Sequence, residues 1–106
     1  MKLVTKEILK KFDKNPLYSK EGKGLDAEVI VKFFNPYGRG TWLITEAEKQ
    51  EDGDYLLFGY MHIYEWEWGY VMLSELENLR VNVYGTKLPI EREMWDKGTV
   101  RELSKN

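Results

Sequence analysis

Between residues 27 and 73, four segments rich in β-branched and aromatic residues follow one another, and this succession constrains the fold more than any other feature. The segments are AEVIVKFF at 27–34, TWLITEA at 41–47, YLLFGYMHIYE at 55–65 and EWGYVML at 67–73. NPYGRG and KQEDGD, which lie between the first three, have the composition of turns. Strands this close in sequence pair antiparallel, so the pattern predicts an antiparallel meander.

Two helices are expected on either side of these strands. Thr5 has the character of an N-cap, Ile8 and Phe12 share one helical face, and Asn15-Pro16 ends the first helix. A capping box of Ser74 and Glu77 predicts a second helix after the fourth strand.

The rest of the chain adds less to the fold. Residues 81–93 are expected to be extended, and a short last helix is expected around Val100 and Leu103. The length of 106 residues suits one domain, taken as 1–106. We therefore expect an α+β fold: a small antiparallel sheet of four to five strands in a meander, flanked by an N-terminal helix and a helix after strand four.

The stretch HIYEWEWGY at 62–70 is expected to contain the tip of the hairpin between strands three and four. A three-residue loop at 65–67 segregates the side chains, with aromatic rings on one face and aliphatic residues and glycines on the other. A slip of one residue would destroy this segregation. The expected pairs on the aromatic face are Tyr64 with Trp68, His62 with Tyr70 and Tyr60 with Met72. Those on the other face are Ile63 with Gly69, Met61 with Val71 and Gly59 with Leu73.

Charge is distributed unevenly along the chain. Residues 1–26 carry seven lysines and four acidic residues, whereas residues 46–77 carry nine acidic residues and one lysine, a net charge of −8. Such asymmetry bears on partners rather than on fold. A solvated acidic turn and an acidic contact surface are the two interpretations. The candidate protein-binding residues lie at a turn and at the hairpin tip: Glu46, Glu48, Glu51, Asp52, Asp54, Glu65, Trp66 and Glu67.

Several kinds of site lack the residues that they need. The chain has no cysteine, and His62 is its only histidine, so we expect no metal site, no cofactor and no catalytic residues. EGKG at 21–24 lacks the spacing of a phosphate-binding loop and is interpreted as a turn. No apolar run is long enough to span a membrane, and the N-terminus lacks the pattern of a signal peptide, so a cytoplasmic setting is expected.

Several motifs resemble those of one bacterial family, domain of unknown function 2958. They are the FF-x-P at 33–36, the GY…LSELE at 69–77 and the LPIER at 88–92, and the likeness runs from Leu3 to Leu103. Members usually carry a tryptophan pair in the segment that matches NPYGRGTW, where this chain has Trp42 alone. The resemblance implies a small protein carried by plasmids, phages and other mobile elements, and it implies no catalytic residues.

The functional expectation is a non-enzymatic binding protein encoded by a mobile element. Its partner would be another protein, in the sharpest version a host defence nuclease with a basic groove, inhibited in the manner of an anti-CRISPR protein that mimics nucleic acid. The alternative is nucleic-acid binding through the aromatic sheet face, which the −8 segment disfavours. A small uncharacterised enzyme is the third hypothesis. The sequence does not determine the oligomeric state.

Overall fold

A computed structural model describes residues 3–94 and 98–104 of the chain. Its elements, in chain order, are α1 (Lys6–Lys14), a 3₁₀ turn (Gly24–Asp26), β1 (Val31–Phe34), β2 (Thr41–Lys49), β3 (Tyr55–His62), β4 (Trp66–Met72), α2 (Leu73–Asn78), β5 (Arg80–Val83), β6 (Thr86–Pro89), β7 (Glu91–Glu93) and α3 (Val100–Leu103).

The main sheet has five antiparallel strands in the order β4-β3-β2-β1-β7. The first four strands form the predicted meander, and β7 returns to pair with the free edge of β1. Strands β5 and β6 form a separate hairpin, whose turn residues Tyr84 and Gly85 both have positive φ. The α+β fold with a helix before the sheet and a helix after strand four is confirmed.

One face of the main sheet, here called the helix face, carries α1 and α2. Ile8 and Phe12 of α1 and Leu76 of α2 are buried against the strands in the larger of two hydrophobic clusters. The predicted N-cap of α1 is confirmed, because the Thr5 hydroxyl accepts the Ile8 N–H at 3.2 Å. Burial of this helix face supplies most of the apolar core.

The opposite face, here called the aromatic face, carries the side chains of Phe58, Tyr60, His62, Trp66, Trp68 and Tyr70. One part of it is covered, because Ala27 and Val100 pack on Leu43 in a second, smaller cluster. Backbone hydrogen bonds from Val29 to Gly98 and from Val100 to Ala27 hold this cover together. Around Trp68 and Tyr70 the aromatic face is open.

The predicted position of the hairpin tip is wrong by two residues. The loop comprises residues 63–65, not 65–67, and Tyr60 pairs with Trp68, His62 with Trp66 and Gly59 with Gly69. None of the six predicted pairs occurs. The predicted segregation of faces is nevertheless correct, because a shift by an even number of residues returns every side chain to the same face. Stacking of Tyr60 on Trp66 and of Phe58 on Trp68 favours the observed register.

The predicted capping box of Ser74 and Glu77 is also wrong. Helix α2 begins two residues earlier than the capping box predicted, with Met72 as its N-cap, and Glu75 accepts the Met72 N–H at 3.1 Å. Ser74 lies inside the first turn, where its N–H and its hydroxyl both donate to the carboxylate of Asp54. An acidic residue from the β2–β3 turn therefore satisfies the N-terminus of α2. The short helix predicted around Val100 and Leu103 is present.

Candidate functional site

A β-bulge in β2 determines what the aromatic face contains. Ile44 pairs with Gly59, and Glu46 pairs with the next residue of β3, Phe58, so Thr45 is the additional residue. Regular alternation would have put Glu46 on the helix face, against α1. The bulge instead places the Glu46 side chain on the aromatic face, beside the Phe58 ring.

Gly59 allows the strands to approach each other closely at this bulge. A Cβ atom at Gly59 would lie 1.9 Å from the carbonyl oxygen of Leu43 and 2.9 Å from the Cα of Ile44. Both are backbone atoms, so no side-chain rotation could relieve the clash. The absence of a side chain at Gly59 is therefore a condition for the bulge geometry.

Glu46 is buried, with an exposed fraction of 5%. Its Oε1 accepts the Tyr18 N–H at 2.9 Å and its Oε2 accepts the Lys20 N–H at 2.8 Å. Two N–H donors to one carboxylate offset much of its desolvation cost. Glu46 thus fastens the loop that follows α1 to the sheet.

The backbone of this loop adopts an unusual conformation at the point of attachment. Tyr18 has a φ of 72°, in the left-handed region that few residues other than glycine adopt. The hydrogen bond from its N–H to Glu46 helps to hold it there. As a result, the Tyr18 ring stands on the same side of the sheet as Tyr70 and remains 67% exposed.

A cavity of about 350 Å³ lies between this loop and the aromatic face. The sheet contributes Phe58, Trp68 and Tyr70 to its wall, whereas the loop contributes Tyr18 and Gly22. The Phe58 and Trp68 rings are stacked with centroids 5.5 Å apart, and the Tyr70 ring is tilted by 49° against Phe58 at 4.9 Å. The cavity therefore presents aromatic surfaces at several orientations.

Charged side chains complete the wall of the cavity. Lys20 and Glu21 line it together with Glu46. The Lys20 ammonium donates to the Glu28 carbonyl oxygen at 2.7 Å. Burial lowers the pKa of Lys20, while the charges of Glu28 and Glu46 act in the opposite direction. Partial desolvation also raises the pKa of Tyr70, and the neighbouring Tyr18 hydroxyl adds to that shift.

The structure separates the acidic residues that the sequence grouped together. Contrary to the expectation of an acidic contact surface, Glu46 is buried and hydrogen-bonded to the loop after α1. Asp54 is engaged with Ser74, as described above, and the Ser74 hydroxyl is the main reason that its pKa lies below the usual value. Glu48, Glu51 and Asp52 are exposed.

At the other end of β3, Glu65 and Glu67 are exposed as expected. Trp66 is not the unsupported ring of a hairpin tip. It is the first residue of β4, and its ring stacks on Tyr60 with centroids 5.1 Å apart and tilts against His62 at 5.0 Å. Trp66 therefore belongs to the aromatic face.

His62 and the EGKG segment at 21–24 have structural roles, in packing and in turns respectively. The His62 ring contacts Trp66, and across residues 3–94 and 98–104 no group of three His, Asp or Glu side chains is arranged to hold a metal ion. EGKG at 21–24 forms turns, as predicted, and leads into the 3₁₀ turn rather than into an α-helix.

Sequence reasoning missed the role of Glu46 and the cavity beside it. One signal was available in the sequence: Glu46 is an acidic residue in the interior of β2, between the apolar run WLI at 42–44 and Ala47. A buried carboxylate such as that of Glu46 requires hydrogen-bond donors. The donors come from residues 26 and 28 positions earlier, so nothing local identifies them.

The fold and the site together define a small α+β protein in which helices cover one face of an antiparallel sheet and an aromatic cavity opens on the other. The chain belongs to the family called domain of unknown function 2958, which is described as a protein of unknown function. The model of this family matches residues 3–105. Comparisons with curated proteins and with solved structures gave no significant match. No helix within the described part of the chain is sufficiently long and apolar to cross a membrane.

Proposed function

We propose that this chain is a non-enzymatic binding protein that docks a basic protein partner on its aromatic face. The observation that carries the proposal is the exposure of large aromatic side chains there, with Trp68 at 38% and Tyr70 at 52%. Exposed Trp and Tyr in a contiguous surface are enriched at the centres of protein interfaces, because each buries a large area at little entropic cost.

Acidic side chains at both ends of β3 support a partner of positive charge. Glu48, Glu51 and Asp52 are exposed near its beginning, and Glu65 is exposed near its end. Glu67 is also exposed there, but it pairs with the helix-face residue Met61 and therefore lies on the other face of the sheet. Exposed carboxylates beside an apolar surface steer an oppositely charged protein to it and disfavour partners of like charge. A long basic surface fits two separated acidic groups better than a small basic ligand does.

A nuclease of a host defence system, with a basic groove for nucleic acid, is the class of partner that we propose. In this account the chain is encoded by a mobile element, meets its partner in the cytoplasm, and inhibits it by occupying the groove with carboxylates in place of phosphates, as an anti-CRISPR protein would. The support is the charge distribution, together with the mobile-element setting that the family resemblance implies.

Catalysis has less support than binding. The contact of His62 with the Trp66 ring and the hydrogen bonds of Glu46 and Asp54 give these groups structural roles. Direct binding of single-stranded nucleic acid is favoured by one observation, the stacked pairs Tyr60–Trp66 and Phe58–Trp68, because bases stack on such platforms. The surrounding carboxylates would repel phosphates, and we rank this function second.

The experiment is affinity purification from the native host, followed by quantitative binding measurements with the protein recovered. Three variants are compared with the wild type: Trp68→Ala, the triple reversal of Glu48, Glu51 and Asp52 to Lys, and Tyr84→Asn. Tyr84 is a fully exposed aromatic residue outside the main sheet, and asparagine tolerates its positive φ, so Tyr84→Asn controls for loss of a surface ring.

We expect Trp68→Ala to weaken binding of the partner at least tenfold. The triple reversal should slow association and reduce the dependence of affinity on salt, while Tyr84→Asn has no effect. Asp54 is left intact because it holds α2. Recovery of a metabolic or ribosomal protein would overturn the defence proposal, recovery of nucleic acid would favour the second function, and unchanged binding by both folded variants would exclude this face.

A further inference from the structure

The cavity beside Glu46 has the construction of a site for a cation. Tyr18, Phe58, Trp68 and Tyr70 surround a space of about 350 Å³, which lies within the usual size range of small-molecule sites. The faces of aromatic rings carry negative electrostatic potential and attract cations placed over them. Phe58 and Trp68 stack on each other, so one face of each ring is occupied by the other, while Tyr18 and Tyr70 add further aromatic surface to the wall. This aromatic lining favours a cation over a neutral group.

The charges in the wall have the matching sign. Two carboxylates, Glu21 and Glu46, and one ammonium, Lys20, line the cavity. The Lys20 ammonium donates to the Glu28 carbonyl oxygen, and Glu46 is buried, so water screens its charge poorly. The excess of one negative charge favours a positively charged occupant.

The hydrogen bonds of Glu46 restrict the kind of cation. Each of its two oxygens already accepts a backbone N–H, from Tyr18 and from Lys20. A guanidinium or a primary ammonium brings several N–H donors that need acceptors inside the cavity. Two of the roughly four acceptor sites of Glu46 are already occupied, and the other carboxylate of the wall, Glu21, is exposed to water. An ammonium whose nitrogen carries only alkyl groups needs no acceptor, and it gains both from the aromatic faces and from the charge of Glu46.

We propose that this cavity binds a quaternary ammonium group. The inference rests on the proposed function in taking the aromatic face as the binding surface, and it adds the chemical class of the group that enters the cavity. The group could belong to a free molecule of the choline type or to a trimethylated lysine side chain. The positive charge and the three methyl groups are common to both.

The test uses the full-length protein and needs no protein partner, so it is independent of the partner experiment. Choline and N-acetyl-trimethyllysine amide are titrated into labelled protein, and the amide resonances of Tyr18, Lys20 and Tyr70 are followed by NMR. The matched control ligand is 3,3-dimethylbutan-1-ol, which has the shape of choline without its charge. Ring currents should also shift the methyl resonances of a bound ligand upfield.

We expect saturable binding of at least one cation, about tenfold tighter than binding of the neutral alcohol. Trp68→Ala should abolish the difference between cation and alcohol, Glu46→Gln should reduce it, and Tyr84→Asn should leave it unchanged. Glu46 also holds the loop, so the NMR spectrum of Glu46→Gln is first compared with that of the wild type. If the two spectra differ, Trp68→Ala alone is used to test the cavity. Tighter binding of choline indicates a free ligand, and tighter binding of trimethyllysine indicates a side chain.

Two results would overturn the inference. Absence of saturable binding of both cations at tens of millimolar would show that the cavity does not select this group. Equal binding of the neutral alcohol would show that the cavity is merely apolar. Either result leaves the proposed function standing if Trp68→Ala still weakens the protein partner, so failure of the two proposals can be told apart.

Discussion

Gly59 determines whether the sheet can form the bulge that places Glu46 beside the cavity. The bulge at Thr45 brings the backbone of β2 into the space that a side chain at Gly59 would occupy. Glu46 reaches the aromatic face only because of that bulge. The residue that makes the cavity possible is therefore not in its wall.

Gly59→Ala should lower the free energy of unfolding by about 3 kcal/mol, because the new methyl group meets backbone that cannot move aside. Gly69→Ala is the matched control, since Gly69 pairs with Gly59 and a Cβ there would meet only the Met61 sulfur at 3.7 Å. We expect a change within about 1 kcal/mol for this control. Urea denaturation measures both, and equal effects would contradict the close approach at Gly59.

The hydrogen-bond partners of individual acidic residues could not be predicted from the sequence. The charge of Glu46 was visible, but its burial was not, because it depends on a bulge and on two donors from a distant loop. Asp54 was likewise taken for an exposed acid, yet it accepts hydrogen bonds from Ser74, 20 positions away. Sequence patterns report the average partner of a residue type, whereas these carboxylates have particular partners.

At the scale of elements, α2 depends on an acid from another segment. The Ser74 hydroxyl and N–H donate to Asp54, so the first turn of α2 is joined to the β2–β3 turn. Ser74→Ala should lower the free energy of unfolding by about 1 kcal/mol through loss of one hydrogen bond to a charged group. Thermal or urea denaturation measures this change. Glu77→Ala is the control, because Glu77 is not the capping residue of α2; an equal loss in both variants would contradict this arrangement.

The same contact predicts a dependence of stability on pH. The pKa of Asp54 lies below its ordinary value of 3.8, first because of the Ser74 hydroxyl. A lowered pKa in the folded state means that folding favours the carboxylate. The contribution of Asp54 is therefore complete above about pH 3.8 and is lost as the pH falls through the lowered value. NMR titration of Asp54 should show its pKa rising in Ser74→Ala; an unchanged pKa would show that the hydroxyl is not responsible.

The hairpin of β3 and β4 shows how much a pattern can specify. Alternation fixed which side chains share a face, but it could not distinguish registers that differ by an even number of residues. In the observed register Tyr60 lies opposite Trp68 and His62 opposite Trp66. Nuclear Overhauser contacts should join those two pairs. Contacts of Tyr64 with Trp68 in their place would restore the register expected from the sequence.

At the scale of the whole molecule, the two faces of the sheet have different roles. The helix face holds the core, and the aromatic face is covered at Leu43 but open around Trp68 and Tyr70. Antiparallel topology followed from the short spacing of the strands. The partial cover did not, because it depends on the contact between Ala27 and Val100, which are far apart in the chain.

The central claim is that the open part of the aromatic face is the surface through which this protein acts. The most direct measurement replaces Tyr70, and in a second variant Tyr84, with the photo-crosslinking residue p-benzoylphenylalanine in the native host. Both tyrosines are exposed, but only Tyr70 lies on the aromatic face. We expect light to produce one discrete adduct, of a basic protein, from position 70 and none from position 84. An adduct from position 84 alone, or the same adduct from both positions, would contradict it.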